Sequence, residues 1–373
     1  MKFMFMGILS AYLAGNVYVF VHLWRFLHLL SPFFRWLCAP LFWFAAVSLF
    51  IALFARDLPL PDSFFRITYN LGAIWMVFIL YMTIVLLVSD LSGLLFPMIR
   101  RYSSLYFPVA LAFVAVLLLW GHVNYLNPKV ERVAVDLSPH NGSGDGRQSA
   151  DSAVPLRIVA VSDLHLGYAT GKKALGKYVE KINSLHPDVV LIGGDLIDNS
   201  VKPVAEEKMW EELGQIDAPD GIFMVPGNHE YISGIDSVSE FISRTPIVLL
   251  RDSVVRLPGG LALVGRDDRS NRRRMDLDEL LKGTGDAPVM LLEHQPYDIA
   301  TKDSLGIALQ FYGHTHRGQV WPMSLLVDKM YPQSYGYRKW NNSHVIVSSG
   351  LSLWGPPFRI GTDSDLWVID LTL

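Results

Sequence analysis

The chain has 373 residues, of which 51% are apolar and only 18% are charged, and its mean hydropathy is positive at +0.29. In soluble domains about a quarter of the residues are charged, so a wholly soluble protein does not fit this composition. The charge is also uneven, because residues 1–125 hold ten charged side chains and the other 248 residues hold fifty-seven. The composition predicts a membrane segment followed by a globular region.

The net charge of each region excludes further classes of protein. The membrane segment carries a formal charge of +4, and the globular region carries a formal charge of −7. An acidic domain has no basic surface for a phosphate backbone, so we expect no nucleic-acid partner. The one cysteine, Cys38, lies in an apolar run, which leaves the globular region without a disulfide or a thiol nucleophile.

Four apolar segments precede the globular region: Phe3–Trp24, Trp36–Phe54, Ile67–Val88 and Leu105–Gly121. Each is near the ~20 residues that a helix needs to cross the hydrocarbon core, so we predict a transmembrane helical domain over residues 1–125. Four spans put the N-terminus and the globular region on one side, but five Lys/Arg there against four opposite leave the orientation open. The helices serve as an anchor, or they also present a lipid-embedded substrate.

Residues 126–154 are predicted to link the two regions. The stretch 138–152 is rich in Gly, Ser and Asp and has no apolar period. Such a composition is typical of a flexible tether or an exposed loop.

From Pro155 onward the pattern changes to short apolar runs that each end in polar residues. The five clearest runs are Leu156–Val161, Asp188–Ile192, Ile222–Val225, Val289–Leu292 and Ala308–Tyr312. Helical stretches such as Lys173–Leu185 and Val204–Leu213 lie between the early runs, which favours an α/β layer fold over residues 155–373. Ligand sites of open α/β sheets lie at the carboxyl ends of the strands, where these polar residues stand.

Side chains that bind metals follow all five runs: Asp163, His165, Asp195, Asn228, His294, His314 and His316. Imidazole and carboxylate together suit Mn, Fe, Co, Ni or Zn. Seven ligands exceed one tetrahedral site and suit two ions about 3.5–4 Å apart that share a carboxylate, an arrangement used for displacement at phosphorus. His229 is then spare and can protonate the leaving group. We expect Asp198 to hydrogen-bond to a ligand rather than bind a metal.

Five ordered motifs carry a family resemblance: Asp163-Leu-His165, Gly194-Asp195-Leu-Ile-Asp198, Gly227-Asn228-His229-Glu230, His294 and Gly313-His314-Thr-His316. Over residues 155–373 the chain resembles the calcineurin-like metallophosphoesterases. The resemblance implies a four-layer αββα sandwich and a dinuclear centre, with manganese as the first expected metal. One ion would bind Asp163, His165, Asp195 and His316, and the other would bind Asp195, Asn228, His294 and His314. A hydroxide activated by the metals would cleave phosphodiester or pyrophosphate bonds.

A narrower resemblance rests on Ser348–Gly361 and on the His316-Arg-Gly-Gln319 tail. Both are similar to the YkuE/YaeI-type branch of membrane-associated bacterial phosphodiesterases and to the LpxG-type UDP-diacylglucosamine pyrophosphohydrolases. The branch implies a bacterial inner membrane, favours an extracytoplasmic catalytic domain and implies a lipid-linked substrate. Arg317 departs from the branch, which usually has glycine there.

Three side chains are candidates for substrate contact, each with a plainer alternative. Arg317 contacts substrate phosphate or leans into solvent, Trp354 covers the site or only packs, and Arg359 binds phosphate or forms a structural ion pair. Five arginines between residues 266 and 274 form a solvated loop, contact anionic lipid headgroups or recognise a diphosphate.

Two other functions stay open. One is a phosphomonoesterase that acts on a small or lipid phosphate, because motifs shared by the whole superfamily do not separate monoesters from diesters. The other is a non-catalytic sensor that binds a phospholipid, although such proteins usually lose ligands and none is missing here.

Overall fold

The computed structural model describes residues 2–29, 32–55, 58–138 and 155–373. Residues 139–154, which include nearly all of the predicted tether 138–152, lie outside the described residues, as does Arg56 of the orientation count. The chain divides into two compact units. One comprises Met1–Val123 with Gly355–Phe358, and the other comprises Asn124–Trp354 with Arg359–Leu373.

The first unit is helical. Its helices are α1 (Lys2–His28), α2 (Pro32–Phe54), α3 (Asp62–Leu95), α4 (Pro97–Arg100) and α5 (Ser103–Tyr125), the last two residues of which belong to the second unit. Within the described residues, four of these helices, α1, α2, α3 and α5, are long and apolar enough to cross a membrane. The prediction of four apolar helices is therefore confirmed, although each runs beyond the segment predicted for it.

Some polar side chains on these helices are paired with one another. The Trp75 indole donates to Asn16 Oδ1 at 2.9 Å, and the Tyr18 hydroxyl donates to Asp90 at 2.6 Å. His22 Nε2 lies 3.1 Å from the same Asp90 oxygen. Hydrocarbon offers no hydrogen-bonding partner, so polar groups on apolar helices need partners of this kind.

The second unit holds twelve described strands. They are β1 (Lys129–Asp136), β2 (Pro155–Val161), β3 (Val189–Ile192), β4 (Ile222–Met224), β5 (Ile247–Leu249), β6 (Ser253–Arg256), β7 (Ala262–Gly265), β8 (Val289–Leu292), β9 (Leu309–Tyr312), β10 (Gly336–Lys339), β11 (His344–Val347) and β12 (Asp365–Thr372). They form two six-stranded sheets, in the orders β1-β12-β2-β3-β4-β5 and β10-β11-β9-β8-β7-β6. Parallel pairing dominates both sheets, with β2 to β5 parallel in the first and β7, β8, β9 and β11 parallel in the second.

Eight described α-helices complete this unit. They are α6 (Lys172–Asn183), α7 (Val201–Glu206), α8 (Trp210–Leu213), α9 (Asn228–Ile232), α10 (Ile235–Ile242), α11 (Leu277–Leu281), α12 (Ile299–Ser304) and α13 (Met323–Met330), with 3₁₀ turns at Pro258–Gly260, Lys282–Thr284 and His316–Gly318.

Alternation of side chains along the strands builds the layers. Ile158 of β2 joins residues of both sheets in one core, whereas the next residue, Val159, packs with residues of helices α6, α8 and α10. A third core places residues of α11 and α12 against the other face of the second sheet. Because successive side chains of a strand point to opposite faces, each sheet carries one core on either side. The layers are therefore αββα, as the resemblance implied.

The predicted linker 126–154 needs correction at its start. Lys129–Asp136 forms strand β1, which pairs in parallel with β12 at the edge of the first sheet. Val135 of this strand is buried in the core between the sheets. The globular unit therefore begins near Asn124, and a truncation after residue 137 would remove an edge strand.

Candidate metal centre

The loops that follow β2, β3, β4, β8 and β9 carry the predicted ligands. Five ligand residues in these loops have positive φ although none is glycine: Asp163 (56°), His165 (45°), Asp195 (51°), His314 (72°) and His316 (46°). The left-handed region is costly for residues with a Cβ, and such strain collects at functional sites. These turns therefore adopt a costly backbone conformation, and that conformation brings the ligand side chains together.

One group of ligand atoms consists of Asp163, His165 and His316. The two Nε2 atoms of the histidines lie 3.1 Å apart, and Asp163 Oδ1 lies 3.4 Å from His316 Nε2 and 3.8 Å from His165 Nε2. Asp163 and His165 are buried. Two imidazole nitrogens and a carboxylate oxygen at this spacing can hold one cation.

A second group consists of Asp195, His294 and His314. His294 Nε2 lies 3.1 Å from Asp195 Oδ2 and 3.3 Å from His314 Nδ1. The other ring nitrogen of His294, Nδ1, donates to the carbonyl oxygen of Gly193 at 2.8 Å. That hydrogen bond fixes the tautomer that leaves Nε2 with a free lone pair, as is usual for a metal-binding histidine.

Asp195, a member of the second group, also lies beside His165 of the first group. Its Oδ2 lies 3.8 Å from His165 Nε2 as well as 3.1 Å from His294 Nε2. Its Oδ1 accepts a hydrogen bond from the backbone N–H of His229 at 2.9 Å. A Cβ at Gly227 would overlap Oδ1, so glycine is required there. If each group holds a cation, Asp195 Oδ2 would lie beside both ions.

Asn228 supports a metal in this place. Its Oδ1 is buried and has no hydrogen-bond partner in the described structure. A buried amide oxygen without a partner is costly unless a ligand satisfies it. Carboxylate, imidazole and amide donors together fit a pair of divalent transition-metal ions.

Protonation competes with metal binding at these histidines. Burial disfavours the cation of His294, but Asp195 outweighs that effect and raises the pKa of His294 to about 10. Burial, together with His294, lowers the pKa of His314 to about 4. Because a ligating histidine must be deprotonated, metal binding here releases a proton and becomes weaker at low pH.

His229 and Asp198 lie beside the first group. His229 Nδ1 donates to the carbonyl oxygen of Asp198 at 2.6 Å, and Asp198 Oδ1 lies 3.4 Å from that nitrogen and 3.5 Å from His165 Nδ1. With Nδ1 so engaged, Nε2 is the ring nitrogen left for a substrate. Burial lowers the pKa of His229, but the Asp198 and Asp195 carboxylates outweigh it, so that the pKa is raised.

We expect Asp198→Asn to shift the alkaline limb of the rate profile to lower pH. A general acid works only while protonated, so activity is lost as the pH rises through the pKa of His229. Removing the carboxylate removes the charge that raises the pKa of His229, so that pKa falls. The check is kcat against pH at saturating metal. An unchanged midpoint would show that Asp198 does not set the protonation of His229.

Glu230 is a positioning residue that the motifs alone do not single out. Its carboxylate is buried and accepts the backbone N–H groups of Asp195 (2.9 Å), Ile197 (3.0 Å) and Gly227 (2.7 Å). It therefore joins the loop after β3 to the loop after β4. Its place at the end of the Gly227-Asn228-His229-Glu230 motif is the sequence signal for this role.

Arg359 does not face a substrate, which corrects its prediction as a phosphate-binding residue. The side chain is fully buried, and its guanidinium donates to the carbonyl oxygens of His316, Ser349, Gly350 and Ser352. Its direct partners are these carbonyl oxygens and the Ser364 hydroxyl, rather than the ion pair proposed as the alternative. Arg359 thus holds the turn of His316 against the loop after β11.

We expect Arg359→Met to destabilise the globular unit strongly. The change keeps the volume but leaves buried carbonyl oxygens unpaired, which costs about 3–5 kcal/mol, as breaking a buried charged contact does. The melting temperature should fall by on the order of 10 °C. If Arg359→Met keeps normal thermal stability but raises KM for a phosphate substrate, then Arg359 binds substrate phosphate after all.

Arg317 and Trp354 remain candidates for substrate contact. Arg317, half-buried and with φ of 47°, directly follows the ligand His316, and its guanidinium carbon lies 5.0 Å from the centre of the Tyr335 ring. Trp354 is 38% exposed. Both side chains are accessible, in contrast to Arg359.

The arginine cluster 266–274 is not a uniformly solvated loop. Arg266 is buried, and Arg274 Nη1 donates to the buried carboxylate of Glu293 at 2.8 Å. Lys302 Nζ lies 2.5 Å from the same carboxylate. Arg272 and Arg273 are exposed. The cluster therefore neutralises Glu293, the residue before the ligand His294, and only its middle faces solvent.

Comparison with known proteins agrees with this geometry. The family model described as calcineurin-like phosphoesterase matches residues 156–318. An uncharacterized metallophosphoesterase of Helicobacter pylori is 36% identical over 218 residues, which are 57% of this chain and 58% of that protein. A Campylobacter jejuni protein with the same description is 28% identical over 380 residues, covering 96% of this chain and 95% of the relative.

A third relative is described by name as a transmembrane protein. A transmembrane protein with metallophosphoesterase domain from Danio rerio is 34% identical over 278 residues, which are 69% of this chain and 61% of that protein. The chain thus spans little more than half of the Helicobacter and Danio relatives. Residues 156–318, which carry the ligand atoms around Asp195, match the calcineurin-like phosphoesterase family, and the same chain carries four helices of membrane length.

Proposed function

We propose that the protein is a membrane-anchored phosphohydrolase that uses two divalent metal ions to cleave phosphodiester or pyrophosphate bonds of a lipid-linked substrate. The observation that carries the proposal is the position of Asp195 Oδ2, near the ligand nitrogens of both His165 and His294. A single-metal site would not need one carboxylate oxygen at the meeting point of two groups of imidazoles.

The residues divide the work of the reaction. Two divalent ions, when bound, supply an activated water and offset the negative charge of the phosphoryl oxygens. Asp163, Asp195 and the ligand histidines would hold the two ions in place. His229 delivers a proton to the leaving-group oxygen from Nε2, because Nδ1 is engaged by the Asp198 carbonyl. Manganese is our first choice of metal, and Fe, Zn, Co and Ni suit the same donors.

The lipid-linked substrate is supported by the helical unit. One span would tether a domain, whereas four described helices have the length and composition of membrane spans. We place the protein in a bacterial inner membrane with the catalytic domain on the extracytoplasmic side, as the branch resemblance implies. Labelling of a cysteine introduced at the exposed Asp220, with an impermeant reagent on intact cells, tests that side.

The test of the bond type compares two soluble substrates with the full chain reconstituted in vesicles. We expect kcat/KM for bis(p-nitrophenyl) phosphate to exceed that for p-nitrophenyl phosphate by at least about tenfold. The two substrates release the same leaving group, so the ratio reports the preference for a diester over a monoester. The reverse order would make the protein a phosphomonoesterase. Phospholipid binding without turnover, with both metals bound, would make it a sensor.

The test of the substrate class compares long-chain and short-chain versions of one phosphodiester headgroup. Apolar burial contributes roughly 0.8 kcal/mol per CH₂, so kcat/KM should rise with chain length if the acyl chain is bound. Equal kcat/KM values for both chain lengths would contradict a lipid-linked substrate, whereas the proposed cleavage of phosphodiester or pyrophosphate bonds would still stand.

A further inference from the structure

Six of the eight residues of helix α13 are exposed. Met323, Leu326 and Met330 are 39%, 49% and 50% exposed. With the half-buried Val327 they stand at positions i, i+3, i+4 and i+7 of the helix, a set that we call the α13 stripe. That spacing is typical of a helix face that packs into a core. Among the described residues no core cluster includes the stripe, and only Ser324 of the helix is buried.

The helix is fixed to the metal centre by backbone packing. A Cβ at Gly318, where φ is +69°, would lie 2.6 Å from the backbone nitrogen of Ser324, so the first turn of α13 rests directly on the His316–Gly318 turn. On the other side, the Thr315 hydroxyl donates to the Ser334 carbonyl at 2.6 Å. The direction of the stripe is therefore set relative to the ligand His316.

The chemistry of the stripe selects a lipid surface as its occupant. A bilayer is always near, because the same chain carries helices of membrane length. Trp321, 45% exposed, precedes the helix, and Lys329 lies in its last turn beside the stripe. An apolar arc with an indole and a lysine at its border is the composition of helices that lie in the headgroup layer, their apolar face about 5–10 Å deep.

We propose that the α13 stripe inserts into the lipid surface and holds the metal centre at headgroup depth, where it acts on phosphate groups of bilayer lipids. The choice of substrate rests on the proposed function above, whereas the insertion of the stripe does not. A second copy of the chain that covers the stripe is the competing occupant, and the experiment separates the two.

Leu325 provides a matched control for Leu326. It is the same residue type with a similar exposure, 54% against 49%, but it points about 100° away from Leu326 around the helix axis. In the full chain with Cys38→Ser, we would label Leu326→Cys or Leu325→Cys with an environment-sensitive fluorophore. The reconstitution uses phosphatidylethanolamine and phosphatidylglycerol vesicles, with nitroxide-bearing lipid or aqueous iodide as quencher.

The proposal predicts opposite quenching at the two positions. The probe at residue 326 should shift to the blue and respond to lipid nitroxide, and the probe at residue 325 should respond to iodide. Iodide quenching of both probes to the same extent would overturn the insertion. Shielding of residue 326 from both quenchers would mean a protein cover, such as a second copy, and would also overturn it.

Activity tests the substrate half. We expect Leu326→Gln with Met330→Gln to lower kcat/KM for a long-chain phosphodiester in vesicles by at least about tenfold and to leave soluble bis(p-nitrophenyl) phosphate within about twofold. Leu325→Gln should leave both unchanged. Equal losses on both substrates would overturn the role of the stripe in lipid access. If the unaltered protein hydrolyses neither substrate, the proposed function fails, and the quenching result still decides the insertion.

Discussion

Asp195→Asn is expected to reduce hydrolysis of an aryl phosphodiester by at least about 100-fold, since even the loss of an outer partner of a ligand costs 10–100-fold. The reason is that Asp195 Oδ2 serves both groups, at 3.8 Å from His165 Nε2 and 3.1 Å from His294 Nε2. An amide keeps the volume but removes the charge that offsets two dications. The bound metal should therefore fall from two ions per chain to one or none.

The measurement pairs turnover with metal content by mass spectrometry on the same sample. Asp220→Asn is the matched control, because it removes an exposed carboxylate of the same unit and should behave as wild type. More than a tenth of the wild-type rate with two metals bound would contradict the bridging role of Asp195.

His229→Ala is expected to keep both metals and to lose about 10²–10⁴ in kcat, the usual contribution of a general acid or base. The backbone N–H of His229, which donates to Asp195 Oδ1 at 2.9 Å, survives the change, so the bridging carboxylate stays in place. The loss should be smaller for an aryl ester, whose leaving group needs less protonation, than for an alkyl ester.

The comparison of aryl and alkyl esters separates the acid from a ligand. His344→Ala serves as the control, because His344 on β11 contacts the Tyr337 hydroxyl on β10 and belongs to neither group of ligands. If His229→Ala loses a metal ion, or loses the same factor on both esters, then His229 is a ligand or a structural residue. The metal analysis is essential, because His229 offers a ring nitrogen within 4.8 Å of ligand atoms of His165 and Asp195.

The sheet and its ligands could be predicted because local pattern and chemistry coincide there. The predicted runs before Asp163 and His294 end at Val161 and Leu292, where β2 and β8 end in the structure. Strands buried on both faces read as continuous apolar runs, and a polar side chain directly after such a run marks its end.

Other features depend on contacts distant in sequence. Arg359 reads as an accessible cation, but its carbonyl partners come from the His316 turn and from the loop after β11. The run 204–213 reads as one helix, yet Lys208 adopts a φ of 50° and divides it into α7 and α8. Strand β1 reads as part of a linker because its burial depends on β12, more than two hundred residues away.

The exposure of the α13 stripe also could not be predicted from the local sequence pattern. Its periodicity predicts a buried face, and the structure leaves Leu326 and Met330 about half exposed. A pattern of apolar residues specifies that a face is covered, but it does not specify whether protein or lipid covers it.

The most direct test of the two-metal account is a titration of the metal-free full chain with Mn²⁺, with hydrolysis and the electron paramagnetic resonance spectrum followed together. We expect activity to saturate at two ions per chain and the second ion to produce a spin-coupled signal, because Asp195 Oδ2 would lie between the two ions. In Asp195→Asn the coupled signal should be absent. Full activity at one ion per chain, or two ions without coupling, would contradict the account.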